Sequence, residues 1–244
     1  MNKSNLVVVA GGTGAIGNAI PDQLNQIGFT DIIKFGTKTA PAIDFNDENS
    51  ILESVEYIQK KNKPISVFFD ATGILHHNNS MPEKTFKNIE FEFAKKNFLI
   101  NAIGPALLIK HFVPLLDKEE KSVFASLSAK VGSISDNGYG GWYSYRASKA
   151  ALNQLIKTAS IEMKVKNKKA VIVALHPGTV KSSLSKPFQK TNLKIQNPEE
   201  SAKYLIKIIN SIDQSQTGKF FNWDGSCLLY TSPSPRDVEE SRMP

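Results

Sequence analysis

Tyr145 and Lys149 stand four residues apart in Tyr145-Arg146-Ala147-Ser148-Lys149, a spacing that puts both side chains on one face of a helix. A phenol beside an ammonium is a proton-transfer pair. The cation favours phenolate and so draws the tyrosine's pKa from about 10 toward working pH. Spacing alone is not diagnostic in so lysine-rich a chain, because Tyr57 and Lys61 repeat it on what reads as a solvated helix face. What sets Tyr145 apart is a segment far upstream, Ala10-Gly11-Gly12-Thr13-Gly14-Ala15-Ile16-Gly17. Here a strand-like run meets a glycine-rich turn and a helix, and small residues let backbone N–H groups and the positive helix end approach a pyrophosphate. The turn taken alone equally fits a tight β–α connection.

The elements that must position these groups are read from the apolar pattern. Strands are predicted at 6–10, 31–35, 65–70, 122–127, 170–176 and 218–222, alternating with helices at about 16–27, 49–60, 89–116, 143–164 and 198–212. Several strand runs are nearly continuous Val, Ile, Leu and Phe, as a parallel sheet covered on both faces requires. The expected fold is α/β: a single doubly wound parallel sheet in a Rossmann-type three-layer sandwich. Pro105 removes a backbone donor from the long third helix, so a kink is expected near 101–105.

The chain has 244 residues, 41% of them hydrophobic, which is enough for one substantial domain, placed here at residues 1–226. Residues 227–244 break the pattern: Tyr230-Thr231-Ser232-Pro233-Ser234-Pro235-Arg236-Asp237 resembles translated adapter sequence, and the segment is expected to be a non-native, disordered tail. The opening Met1-Asn2-Lys3-Ser4-Asn5 runs into a strand rather than a signal peptide, and no run of eighteen apolar residues occurs, so a cytoplasmic protein with no membrane association is expected. Cys227 is the sole cysteine, and His76, His77, His111 and His176 show no metal-ligand spacing, so no metal is expected. The formal net charge is +7, but the lysines are dispersed without interleaved aromatics and no nucleic-acid partner is expected.

The motifs acquire meaning together. Gly11 with Ala15 and Gly17, Asp70-Ala71-Thr72-Gly73 after a strand, Asn101 in the long helix, Tyr145 with Lys149, and Pro177-Gly178-Thr179-Val180 after a later strand resemble the short-chain dehydrogenase/reductase family in order and spacing, over roughly residues 6–225. The stretches Gly132-Ser133-Ile134, Gly140 to Arg146 and His176 to Val180, followed by Lys186-Pro187-Phe188, resemble its C-factor/sniffer-like carbonyl reductase subgroup. The resemblance implies that Tyr145 is the general acid, that Lys149 binds the nicotinamide ribose and depresses the tyrosine's pKa, and that Asn101 holds a water linking Lys149 to solvent. It implies a cofactor site of Gly11, Thr13, Gly14, Ala15, Ile16 and Gly17, of Ala71, Thr72 and Gly73, and of Pro177, Gly178, Thr179 and Val180. Asp44-Phe45 resembles the adenine contact, though Asp44 also fits a strand-end capping role. The chain departs from the family in having Ala15 where glycine is usual, and the family's substrate-orienting serine falls at Ala129. Ser128 is the candidate, with Ser126 and Ser133 as rivals; Ser128 also reads as a turn serine.

Cofactor preference follows from charge. The second strand ends in Phe35-Gly36-Thr37-Lys38 without the carboxylate that would repel a 2′-phosphate, so Thr37 and Lys38 favour NADP(H), with NAD possible, though Lys38 also reads as a solvated turn residue. Residues 181–197 read as a substrate lid with Leu184, Phe188 and Leu193 as an apolar face, and Asn197-Pro198 as the start of the next helix. The expected function is NADPH-dependent hydride transfer between nicotinamide and a small carbonyl or alcohol substrate. The alternative is a catalytically weak nucleotide-binding protein that signals through partners. A homodimer or homotetramer is implied by the family, with Phe98, Leu107, Leu108, Phe112 and Ile156 offering apolar area or else facing the sheet.

Overall fold

The structure, a computed structural model, describes residues 1–77, 80–188 and 195–231. Its centre is a seven-stranded sheet built from β1 (Leu6–Ala10), β2 (Ile32–Phe35), β3 (Ile65–Asp70), β4 (Ser122–Leu127), β5 (Ala170–His176), β8 (Phe220–Asn222) and β9 (Cys227–Leu228). The spatial order is β2-β1-β3-β4-β5-β8-β9, parallel throughout except for the antiparallel β8–β9 pair. Two further strands, β6 (Thr179–Val180) and β7 (Ile195–Gln196), pair in parallel beside it.

Both faces of the sheet are buried, and the period of two distributes each strand between them. Leu6, Val8 and Ala10 share one core with Phe68, Phe124 and Ile172, while Val7 and Val9 share the other with Val67, Val123 and Val173. The first core is closed by α2 (Glu48–Gln59), α4 (Gly104–Phe112) and α5 (Tyr143–Lys166), the second by α1 (Ala15–Gln26) and α6 (Pro198–Ser211). This is the doubly wound sandwich that near-continuous apolar strands require.

The expected long third helix is three pieces: α3 (Phe91–Phe98), a π-helical turn at Leu99–Ile103, and α4. The wide turn falls where Pro105 can give no N–H to the preceding turn, and Gly104 N–H reaches back to the Leu99 carbonyl instead. The stretch Phe91–Leu115 is long and apolar enough to cross a membrane by length and composition. Here that apolarity serves packing: Leu108 and Phe112, together with Ile156 of α5, are fully buried against the sheet, so these three face the core rather than a partner. Phe98 remains exposed and Leu107 packs at the core's margin.

One boundary is corrected. Residues 227–231 do not leave the domain at 226: β9 pairs with β8, Tyr230 stacks on Phe220 with ring centroids 5.7 Å apart, and its hydroxyl donates to the Gly218 carbonyl. The pairing partners lie in the sheet edge and are invisible to local composition. The remainder of the expected tail, 232–244, lies outside the described residues.

Candidate active site

The carboxyl edge of the sheet opens into a cavity of about 490 Å³. Gly14, Ala15 and Ile16 form one wall, Ala71 to Gly73 the next, then Leu127 to Val131, Tyr145 and Lys149, and finally His176 to Val180. Each group stands where a strand ends or a helix begins, the region in which open α/β sheets bind ligands.

The glycine turn is shaped by close backbone approach. Gly11 has a positive φ of 72°, and a Cβ there would lie 2.8 Å from the Ala71 carbonyl carbon; a Cβ on Gly17 would collide with the Gly11 carbonyl oxygen. These glycines therefore let the β1–α1 turn lie against the backbone that follows β3, and α1 against that turn, rather than touching the cavity themselves. Thr13 sits against Gly36, at the end of β2. Gly14 caps α1 without a side-chain acceptor, and the first turn carries no acidic residue. Free N–H groups at the positive end of a twelve-residue helix thus border the cavity with no carboxylate in competition, and they fit a dinucleotide's pyrophosphate.

Tyr145 and Lys149 are both buried in the cavity wall. The Lys149 ammonium donates to the Leu127 carbonyl at 2.8 Å, and burial draws its pKa down to about 8 against the pull of Asp70. Burial pushes the Tyr145 phenol well above its ordinary value. Desolvation of the phenolate sets this direction, opposite to the lowering expected from the lysine. The rival pair behaves as a surface feature, with the Lys61 ammonium 4.8 Å from the centroid of the exposed Tyr57 ring.

The three candidate serines separate cleanly. Ser126 donates to the buried Asp70 carboxylate at 2.6 Å, and Ser133 donates to the Leu229 carbonyl at 2.5 Å. Ser128 alone of the three lines the cavity, its hydroxyl donating to Asn153 Oδ1 at 2.6 Å. Asn101 is fully buried in the π-helical turn and its side chain is spent on protein: Oδ1 accepts from Ile74 N–H at 2.8 Å and Nδ2 donates to the Ile74 carbonyl at 2.9 Å. A Cβ on Gly73 would lie 3.3 Å from Asn101 Oδ1 and 3.4 Å from Lys149 Nζ, so the amide and the ammonium flank this glycine.

The expected adenosine end divides. Thr37 and Lys38 are exposed just past the end of β2; Lys34, within that strand, is exposed as well, and its ammonium donates to Asn18 Oδ1 at 3.1 Å. Asp44 does not reach the cavity wall; its carboxylate accepts from the backbone and side chain of Asn46, which hold its pKa below the usual range. The Phe45 ring is buried against Gly104 and belongs to the core, a long-range fit that the motif could not disclose.

The reading from sequence missed much of the apolar wall. Leu75, Val131, Trp142, Leu184 and Phe188 cluster around Tyr145 and Ala129. Trp142 meets Tyr145 edge to face at 6.1 Å and Phe188 at 5.1 Å. Leu184 and Phe188 were expected on this face; Leu193, the third, lies outside the described residues. The β6–β7 pair brings together the two ends of the stretch expected as a lid. His176 also lines the cavity; its Nδ1 is buried without a partner among the described residues, and burial lowers its pKa to about 4.

A family model described as short chain dehydrogenase matches residues 33–193. A 1-hydroxy-2-glutathionyl-2-methyl-3-butene dehydrogenase of Rhodococcus sp. (strain AD45) is 27% identical over 92% of this chain and 99% of its own. Among solved structures, the carbonyl reductase Sniffer of D. melanogaster superposes with a TM-score of 0.80 at 21% identity, covering 93% of this chain and 99% of its own. An NADPH-bound carbonyl reductase from chicken fatty liver matches with the same TM-score and identity over 93% and 94%.

Proposed function

Since the chain belongs to the short-chain dehydrogenase family, we propose that it is an NADPH-dependent oxidoreductase that interconverts a small, apolar carbonyl compound and its alcohol. One observation carries this reading: the uncapped start of α1, Tyr145, Lys149 and Ser128 all border a single cavity at the carboxyl edge of the sheet. Gly14 to Ile16 would hold the pyrophosphate, and Ala71 to Gly73 with Pro177 to Val180 the nucleoside and nicotinamide. A reduced nicotinamide held there would supply the hydride for the carbonyl carbon.

The chain's own residues manage the proton. Burial keeps the Tyr145 phenol protonated across the neutral range, the state an acid needs in order to deliver its proton to a carbonyl oxygen. Lys149, protonated below about pH 8, shares the cavity and stabilises the phenolate left behind. Ser128 orients the carbonyl oxygen, for which its hydroxyl must turn from Asn153. The wall of Leu75, Val131, Trp142, Leu184 and Phe188 favours an apolar substituent on the substrate.

The preference for the phosphorylated cofactor is supported by the exposed Lys34, Thr37 and Lys38 at the end of β2, where no carboxylate stands. The carbonyl reductase from chicken fatty liver, similar in fold, is NADPH-bound, which agrees with that preference. Nothing in the cavity favours the alternative of a signalling protein without chemistry.

The decisive measurement is Tyr145→Phe, assayed with NADPH and a panel of aldehydes, ketones and quinones. Turnover should fall roughly 10²- to 10⁴-fold while NADPH affinity, read by cofactor fluorescence, stays within twofold. Retained turnover in the variant would remove Tyr145 from the acid role.

A further inference from the structure

α5 begins in an unfavourable way. Gly140, Gly141 and Trp142 are consecutive left-handed residues with φ of 65°, 63° and 54°. The third is costly, because a bulky side chain there crowds its own backbone. Trp142 also occupies the helix N-cap yet has no side-chain acceptor for the free N–H groups of the first turn.

Glu83, sixty-one residues upstream and only 2% exposed, supplies what is missing. Its carboxylate accepts from the Ser144 N–H at 3.2 Å and from the Ser144 hydroxyl in a shorter contact, and its main-chain carbonyl accepts from the Trp142 N–H at 2.5 Å. Ser144 is the second residue of the helix, the place where an ordinary N-cap side chain would bond. The buried acid thus caps α5 from outside, complements the positive helix end, and holds the left-handed Trp142 on the preceding side. Tyr145 follows Ser144 directly, and its ring faces the Trp142 indole at 6.1 Å.

We propose that Glu83 is a positioning residue that fixes the Trp142 indole and the Tyr145 phenol together in the cavity wall. Its kinetic consequence rests on the oxidoreductase reading above; its structural consequence does not. Without the clamp, the strained turn relaxes, the indole leaves its edge-to-face contact, and the phenol loses its aim at the substrate while the distant α1 cofactor wall is untouched.

The test compares Glu83→Ala, Glu83→Gln and Ser144→Ala in a Trp223→Phe background, where Trp142 is the one remaining indole of two. Glu83→Ala should lower kcat at least tenfold for a carbonyl that the parent reduces, leave NADPH affinity within twofold, and increase acrylamide quenching of Trp142. Glu83→Gln, whose amide oxygen can still accept from Ser144 N–H, should recover most of both signals. Parental kcat and quenching in Glu83→Ala would overturn the proposal, as would a fall in NADPH affinity equal to the fall in kcat. Should Glu83→Ala not fold, Ser144→Ala must show the same pattern to a lesser degree, and its matching the parent overturns the proposal. If the parent reduces no carbonyl at all, the oxidoreductase reading fails, and the quenching comparison still decides the role of Glu83.

Discussion

His176 and Lys149 are both titratable groups drawn below their ordinary pKa values by burial at the cavity wall, His176 to about 4 and Lys149 to about 8. Each binds fewer protons when folded than when unfolded over the interval between its two values, so stability rises with pH there. For His176 the contribution is complete above pH 6.5 and is lost as the pH falls through about 4, a change on the order of 3 kcal/mol. Denaturant unfolding of the parent and of His176→Phe at pH 7.5 and pH 4.5 should show a smaller acid loss in the variant. For Lys149 the same sign places the rise between about pH 8 and 10.5, and Lys149→Met should flatten that interval. An equal slope in parent and variant would assign the pH dependence to other groups.

At the scale of elements, the turn between β1 and α1 shows why glycine spacing alone reads ambiguously. Gly11 and Gly17 are required by backbone packing, since a Cβ on Gly17 would strike the Gly11 carbonyl. Gly17→Ala should therefore cost roughly 1–3 kcal/mol as overpacking and also weaken binding of the proposed cofactor, NADPH, because α1 must back away from the turn. Denaturation midpoint and cofactor fluorescence read the two effects, and a variant altered in neither would show that the turn yields freely. Strand positions were legible because uninterrupted Val, Ile and Phe runs leave a doubly covered sheet few alternatives: Leu6–Ala10, Ile65–Asp70, Ser122–Leu127 and Ala170–His176 lie where the apolar runs put them. The third helix was legible only in outline, since Pro105 announces a missing donor without saying that a π-helical turn will absorb it.

For the whole molecule, the far edge of the sheet depends on residues with no local signature. Tyr230 stacks on Phe220 and donates to Gly218, and β9 covers β8. Tyr230→Ala should lower stability by about 2 kcal/mol, and truncation after Ser226 should lower it further by exposing the edge of β8. A thermal midpoint unchanged in both would mean that the sheet ends functionally at β8.

Local order in the chain was sufficient for the sheet, the helices around it, the glycine turn and the Tyr145–Lys149 face, because hydrophobic period and helical spacing act over a few residues. The fold brought out what depends on remote partners: which serine reaches the cavity, the loss of Phe45 to the core, the clamp of Glu83 on Ser144 and the hold of Ser133 on Leu229, the last two spanning 61 and 96 residues of chain. Proton affinities belong to this second group as well. They follow from how much water is excluded around Tyr145, Lys149 and His176, a quantity that exists only once distant strands have closed over the site.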